Sequence, residues 1–243
     1  MSSRIEGTQA TMGEVLEFEA EGDASEFSAE RKADIHEVLN YRGAMRRAEA
    51  MLKELPLSQR VLCAAHEDLL SGVRGHGKAP GDYRRNANWI GPAGCTIEAA
   101  RFVPISAEKL PDAMSSLERY FHEDAPDRLV QLGVIHAEFE SLHPFLDRNG
   151  RLGRMLVPFF MWQTKLIQRP MFYLNAYFEA NRDEHYDRLL AVSRHDDWTG
   201  WCRFFLEGVR VQAEENQRKA KAILDLYESM KKQVTELVRY RGG

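Results

Sequence analysis

Cysteine is scarce in this 243-residue sequence: Cys63, Cys95 and Cys202 form an odd, widely spaced set with no CxxC pair. That argues against a disulfide framework or a structural zinc site, and three free thiols fit a reducing compartment, so the expected location is the cytoplasm. Long hydrophobic runs are lacking as well. The most apolar stretch, Met155 to Trp162, is far shorter than the roughly 20 residues a membrane-spanning helix needs. No basic segment followed by an apolar core opens the sequence, so no signal peptide is read there. Neither sign of charge dominates. With 33 basic against 37 acidic residues the net charge is -4, which excludes bulk positive charge as a route to nucleic acid or an anionic membrane. There is no internal repeat and no low-complexity segment. What is present, 44% hydrophobic and 29% charged residues, is the balance of an ordinary globular protein with ample chain for a core.

Helical periodicity dominates the pattern. Ala29 to Leu55 carries Ile35, Val38, Leu39, Met45, Ala48 and Leu52 near one helical face, and Pro56 interrupts it. A second helix is expected over Ser58 to Gly72, with Ser58 as N-cap. Gly75 to Pro104 changes character: two short apolar bursts, Trp89-Ile90 and Phe102-Val103, flank a Gly-Pro-Ala-Gly turn, which reads as a β-hairpin. Further helices are expected at 107–122 and 127–142, the latter ending at His143-Pro144 because proline disfavours helix in the residue before it. Leu152 to Ile167 reads as a buried central helix, apolar on nearly every face. Residues 183–193 and 196–240 supply the remainder. The last is a charged arm with a narrow stripe of Leu226, Met230, Val234 and Leu237, suited to packing against a neighbour within the chain or in a second subunit.

The most informative stretch is His143-Pro-Phe-Leu-Asp-Arg-Asn-Gly-Arg-Leu-Gly-Arg154. Its polar turn, Asp147 to Gly150, leads into a helix opening near Arg151, whose amides and positive dipole end face any anion placed there. Gly150 permits the close approach or positive φ of an anion nest. Asp147 offers a hard oxygen ligand suited to Mg²⁺ shared with phosphates. Arg151 and Arg154 share the first helical turn and can reach back to phosphate oxygens, and His143 can accept a proton near neutral pH. Each residue alone would suit an ordinary helix–loop–helix corner. Together, within twelve residues, they describe phosphoryl-group chemistry on a nucleotide.

This stretch resembles the signature of the Fic (Fic/DOC) family, HxFx(D/E)GNGRxxR. It matches at His143, Phe145, Asp147, Asn149, Gly150, Arg151 and Arg154, and departs at Arg148, where glycine is usual. The resemblance implies a mainly α fold, a helical bundle around a buried central helix with a short β-hairpin flap at about 88–103. It implies transfer of AMP from ATP to a Tyr, Thr or Ser hydroxyl of a protein, with self-modification included. His143 would be the general base and Asp147 the Mg²⁺ ligand. Arg148, Asn149, Gly150, Arg151, Gly153 and Arg154 would form the phosphate site, with Arg154 on the γ-phosphate. If the glycine position needs positive φ, Arg148 adopts it at a cost of about 1–2 kcal/mol. Asn181 and Tyr186 match the nucleotide side of the family, and packing or surface roles suit them equally well. Trp89 and Ile90 match the target-docking flap, or simply anchor its base.

Ser2-Ser-Arg-Ile-Glu6-Gly7 resembles the family's inhibitory motif, (S/T)xxxE(G/N). Ser2 and Glu6 share a helical face and Gly7 suits a helix stop. The resemblance implies that Glu6 pairs with Arg154 and displaces the γ-phosphate. The expected organisation is an inhibitory and helical segment at 1–55, a catalytic core at 56–208 and a helical arm at 209–243. The expected partner is a protein substrate, with no nucleic acid, no membrane, and a second copy of the chain along the arm as a further candidate. The competing readings are removal of AMP, transfer of another phosphate-linked group, and a nucleotide- or partner-binding module without turnover. His136, seven residues before His143, is read as a hydrogen-bonded structural histidine.

Overall fold

A computed structural model describes residues 10–21, 26–72, 77–92 and 94–241. The inhibitory motif residues Ser2, Glu6 and Gly7 lie outside the described residues. Among the described residues nine α-helices follow one another: α1 (Met12–Glu21), α2 (Ala29–Met51), α3 (Gln59–Leu69), α4 (Leu110–His122), α5 (Arg128–Leu142), α6 (Asn149–Gln163), α7 (Asn175–Ala180), α8 (Arg182–His195) and α9 (Trp198–Arg241). The mainly α expectation holds, with α6 as the central element. Asn149 and every residue from Arg151 to Met161 are buried, because α6 meets neighbours all round. It starts three residues before the expected Leu152 and ends four before Ile167.

Local chemistry accounts for the helix starts. The Asp127 carboxylate accepts from the Leu129 and Val130 amides at 2.8 and 3.0 Å and caps α5. Ser28 caps α2 through the Arg31 amide at 3.2 Å. Ser58 occupies the cap position of α3 in extended conformation, but its hydroxyl makes no capping bond among the described residues. The sequence reading overlooked α1, although Thr11-Met-Gly-Glu14 is a capping box. The Thr11 amide donates to Glu14 Oε2 at 2.7 Å and the Glu14 amide to Thr11 Oγ1 at 3.3 Å. Val15 and Phe18 of α1 pack with Ala10 and Ile35 as a small satellite core on α2.

The expected hairpin is reduced to one antiparallel bridge, Ile90 to Phe102, and no strand forms among the described residues. Ile90 N donates to Phe102 O at 2.9 Å and Phe102 N to Ile90 O at 3.1 Å. The ladder stops there because Pro92 and Pro104, two residues beyond on each arm, have no N–H to donate. Close helix approach closes the main core. The Trp201 indole donates to the Gly133 carbonyl at 2.7 Å, and a Cβ on Gly133 would stand 3.2 Å from the Phe205 ring. Beyond Gln212, α9 leaves the bundle: Ile223, Leu226, Tyr227, Met230 and Val234 are all exposed.

Candidate active site

The loop between α5 and α6 is bent by two left-handed residues, neither of them glycine. His143 ends α5 at φ 45°, ψ 60°, and Arg148 precedes α6 at φ 59°, ψ 13°. Gly150, read as permitting either a close backbone approach or a positive φ, lies in the first turn of α6, where its φ is not positive. Between these bends Phe145 is fully buried as the anchor, stacked on the His66 ring at 3.8 Å between centroids. Asn149 clamps the loop from inside: its Oδ1 accepts from the Phe145 amide and its Nδ2 donates to the Phe145 carbonyl, both at 2.8 Å. The loop is thus closed upon itself at the point where the helix begins.

His143, Leu146, Asp147, Arg148, Asn149, Gly150 and Arg154 open onto one cleft of about 330 Å³, whose other wall includes Ile90, Phe178, His185 and Tyr186. The N-terminal turn of α6 faces this space, so amides without intrahelical partners and the positive dipole end favour a bound anion. Asp147 is fixed from two sides. His66 Nε2 lies 3.2 Å from its carbonyl, and its Oδ1 accepts from the Arg148 amide at 2.8 Å. The Gly81 amide donates to His66 Nδ1 at 3.0 Å, so the neutral ring carries its proton on Nε2 and donates to Asp147. Burial pushes the His66 pKa down to about 4, which preserves that tautomer.

Two of the expected phosphate-site residues, Arg151 and Gly153, do not line the cleft. Arg151 is fully buried and its Nη2 donates to Glu37 Oε2 at 2.6 Å. Arg148 Nη2 meets the other oxygen of the same carboxylate at 2.5 Å. Glu37 of α2 therefore bridges both arginines, and the arginine in place of the usual glycine gains an ion pair against its conformational cost. Gly153 sits at the α5–α6 crossing, where a Cβ would come within 2.3 Å of Glu140 Oε1. Its carbonyl accepts from His136 Nδ1 at 3.1 Å, and His136 is fully buried, as the structural reading expected.

Two family models match the chain: Fic/DOC family at residues 56–161, and Fic/DOC family N-terminal at residues 1–50. The chain belongs to the Fic/DOC family. A curated relative, a probable protein adenylyltransferase of Aquifex aeolicus, is 24% identical over 143 residues. The match takes in 58% of this chain and 41% of that relative. A Fic family protein from Desulfovibrio desulfuricans G20 superposes with a TM-score of 0.73 at 23% identity, covering 90% of this chain and 63% of that one. A Fic domain containing signaling protein from Bacteroides thetaiotaomicron gives 0.65 at 19%, covering 87% and 82%. Fic-1 from C. elegans gives 0.68 at 18%, covering 91% and 62%. At these identities the likenesses establish the fold.

The remaining sequence-predicted residues of this Fic chain divide. Tyr186 reaches the cleft, with the Arg101 and Arg182 guanidiniums 5.6 and 5.9 Å from its ring centroid. Asn181 is turned away: its amide donates to the Tyr177 carbonyl at 2.9 Å in the α7–α8 corner. Ile90 lines the cleft, whereas Trp89 is exposed and its indole donates to the Cys95 carbonyl at 2.9 Å, closing the turn of the flap. Sequence reasoning missed Glu37, His66, Arg84 and Asn88, all distant in the chain from the loop they support. None has a local pattern that marks it, since each acts through long-range hydrogen bonds or ion pairs.

Proposed function

We propose that the protein transfers AMP from ATP to a Tyr, Thr or Ser hydroxyl of a protein target, and that Glu6 restrains it. One observation carries the reading: His143, Asp147, Arg154 and the opening turn of α6 converge on a single cleft, with Ile90 of the flap at its edge. The name of the Aquifex relative, a probable protein adenylyltransferase, agrees with it. In this mechanism the flap lays a target segment beside the cleft. His143 takes the proton of its hydroxyl, the oxygen bonds to the α-phosphorus, and the bond from that phosphorus to the bridging oxygen breaks with pyrophosphate leaving. The α6 amides and Arg154 meet the charge on the phosphates, so catalysis is mainly positioning and charge neutralisation.

Among the described residues no three His, Cys, Asp or Glu side chains converge on one point. A Mg²⁺ ion would be held by Asp147 together with the nucleotide, the sparse protein ligation typical of this ion. Bound so, it would neutralise the departing pyrophosphate. Asp147 fits the role because its carboxylate is on the cleft and partly exposed. In the same reading residues 1–55 regulate, 56–208 catalyse and 209–243 form an arm for a second copy of the chain.

Intact-mass spectrometry of the Glu6→Gly protein after incubation with ATP and Mg²⁺ tests the proposal. A gain of one or more AMP groups is expected, well above that of the starting protein and absent in Glu6→Gly/His143→Ala. Equal labelling with and without Glu6 sinks the brake. A gain the size of phosphate assigns phosphotransfer instead, and ATP binding by calorimetry with no mass gain on chain or target assigns a nucleotide-binding module. His143→Ala is expected to bind ATP like its parent.

A further inference from the structure

The C-terminal carbonyls of α5 and the first residues of the loop are held by a segment outside the signature. Arg84 is 2% exposed. Its Nε donates to the His143 carbonyl at 2.9 Å, and its Nη2 to the carbonyls of Leu142 at 3.2 Å and Ile105 at 2.6 Å. Nη1 reaches the Asn86 carbonyl at 3.3 Å, and the Arg84 amide donates to the Pro144 carbonyl at 2.9 Å. Asn88 Nδ2 donates to the carbonyls of His143 at 3.3 Å and Phe145 at 3.1 Å. Four consecutive carbonyls, 142 to 145, therefore each accept a hydrogen bond from residue 84 or 88.

Arg84 pairs with no carboxylate among the described residues; its charge is met by carbonyl dipoles at the negative end of α5. A buried guanidinium committed wholly to backbone oxygens is costly to desolvate, and a single helix end does not require one. The feature that does require it is the left-handed backbone of His143, a conformation an L-residue adopts only when its surroundings over-determine it. The orientation of the Asn88 amide is fixed by the same contacts, because only the NH₂ side can face two carbonyl oxygens. Asn86 and Ile105 flank the flap just beyond its two ends, outside the Ile90–Phe102 bridge, so the same guanidinium joins the flap base to His143.

We infer that Arg84 and Asn88 are positioning residues that set the backbone, and hence the imidazole, of His143 and lock it to the base of the flap. Neither residue lines the cleft. The inference rests on His143 being the base of the proposed transfer, and one of its two tests is independent of activity.

Arg84→Lys keeps the charge and loses the fork; Asn88→Ala removes two bonds at a half-buried position where folding is expected to survive. In both, kcat for AMP transfer in the Glu6→Gly background is expected to fall about 10- to 100-fold, the scale of an ångström-sized misplacement. KM for ATP is expected to stay within about twofold, because uniform binding is untouched. Separately, the imidazole resonance of His143, assigned by its loss in His143→Ala, is expected to shift or broaden in both variants while that of exposed His195 does not. A folded Arg84→Lys or Asn88→Ala protein with an unmoved His143 resonance overturns the inference, as does a moved resonance with unchanged kcat. If Glu6→Gly alone transfers no AMP and the resonance moves, the positioning role stands and the AMP-transfer reading falls.

Discussion

Replacing Glu37 by glutamine would test whether the α2 carboxylate holds the signature loop. Its side chain is 10% exposed, against 0% for Arg151 and 12% for Arg148, so both ion pairs lie out of water. Removing one partner from such an arrangement costs about 3 kcal/mol, because the remaining charges stay desolvated. In a chain of this size that corresponds to a fall in melting temperature of about 6–12 °C. Arg148→Gly behaves differently. It loses one ion pair, but it also relieves about 1–2 kcal/mol of left-handed strain, so its net change is expected within about 1 kcal/mol of zero. The double variant should be less destabilised than the sum of the two, since one of the charges that Glu37 compensates is then gone. Urea unfolding at constant m-value measures all four proteins, and a coupling of about 1–2 kcal/mol is expected. Strict additivity, or a Glu37→Gln midpoint equal to the parent's, would refute the bridge.

Two further outcomes follow from buried groups. Burial pushes the His136 pKa from 6.5 down to about 4, and His185 is driven the same way by burial with His136 and Arg154 beside it. The unfolded chain takes up the His136 proton near pH 6.5 and the folded one only near 4. Its contribution is therefore whole above pH 6.5 and lost as the pH falls toward 4, by up to about 3 kcal/mol. Urea midpoints measured between pH 7 and 4 should fall more steeply for the parent than for His136→Gln, and parallel curves would contradict the assignment. Gly153→Ala would place a methyl against Glu140 Oε1 and 3.2 Å from the Phe139 ring, so about 1–3 kcal/mol of overpacking is expected. An unchanged melting temperature would show that the α5–α6 crossing is not tight there.

What could be read without coordinates followed from short-range rules. Side-chain period marked α2 to α6, Pro144 marked the end of α5, and the twelve residues from His143 to Arg154 carried the family resemblance because loop, helix start and cations are contiguous in the chain. Even so, the capping box at Thr11–Glu14 passed unread, and two prolines cut the expected hairpin to a single bridge. Only the tertiary structure decided which of the clustered polar groups serve the cleft. Asp147 and Arg154 line it, while Arg151 and Gly153 turn inward, because a helix that meets neighbours on all sides divides its polar residues between the cleft and the core. The supports of the loop were beyond sequence reading for a related reason. Glu37, His66, Arg84 and Asn88 act across separations of 55 to 114 residues, and periodicity, propensity and spacing carry no information over such distances. The sequence specified the chemical groups; packing chose their partners, since a buried charge or carbonyl must be satisfied by whatever the fold brings beside it.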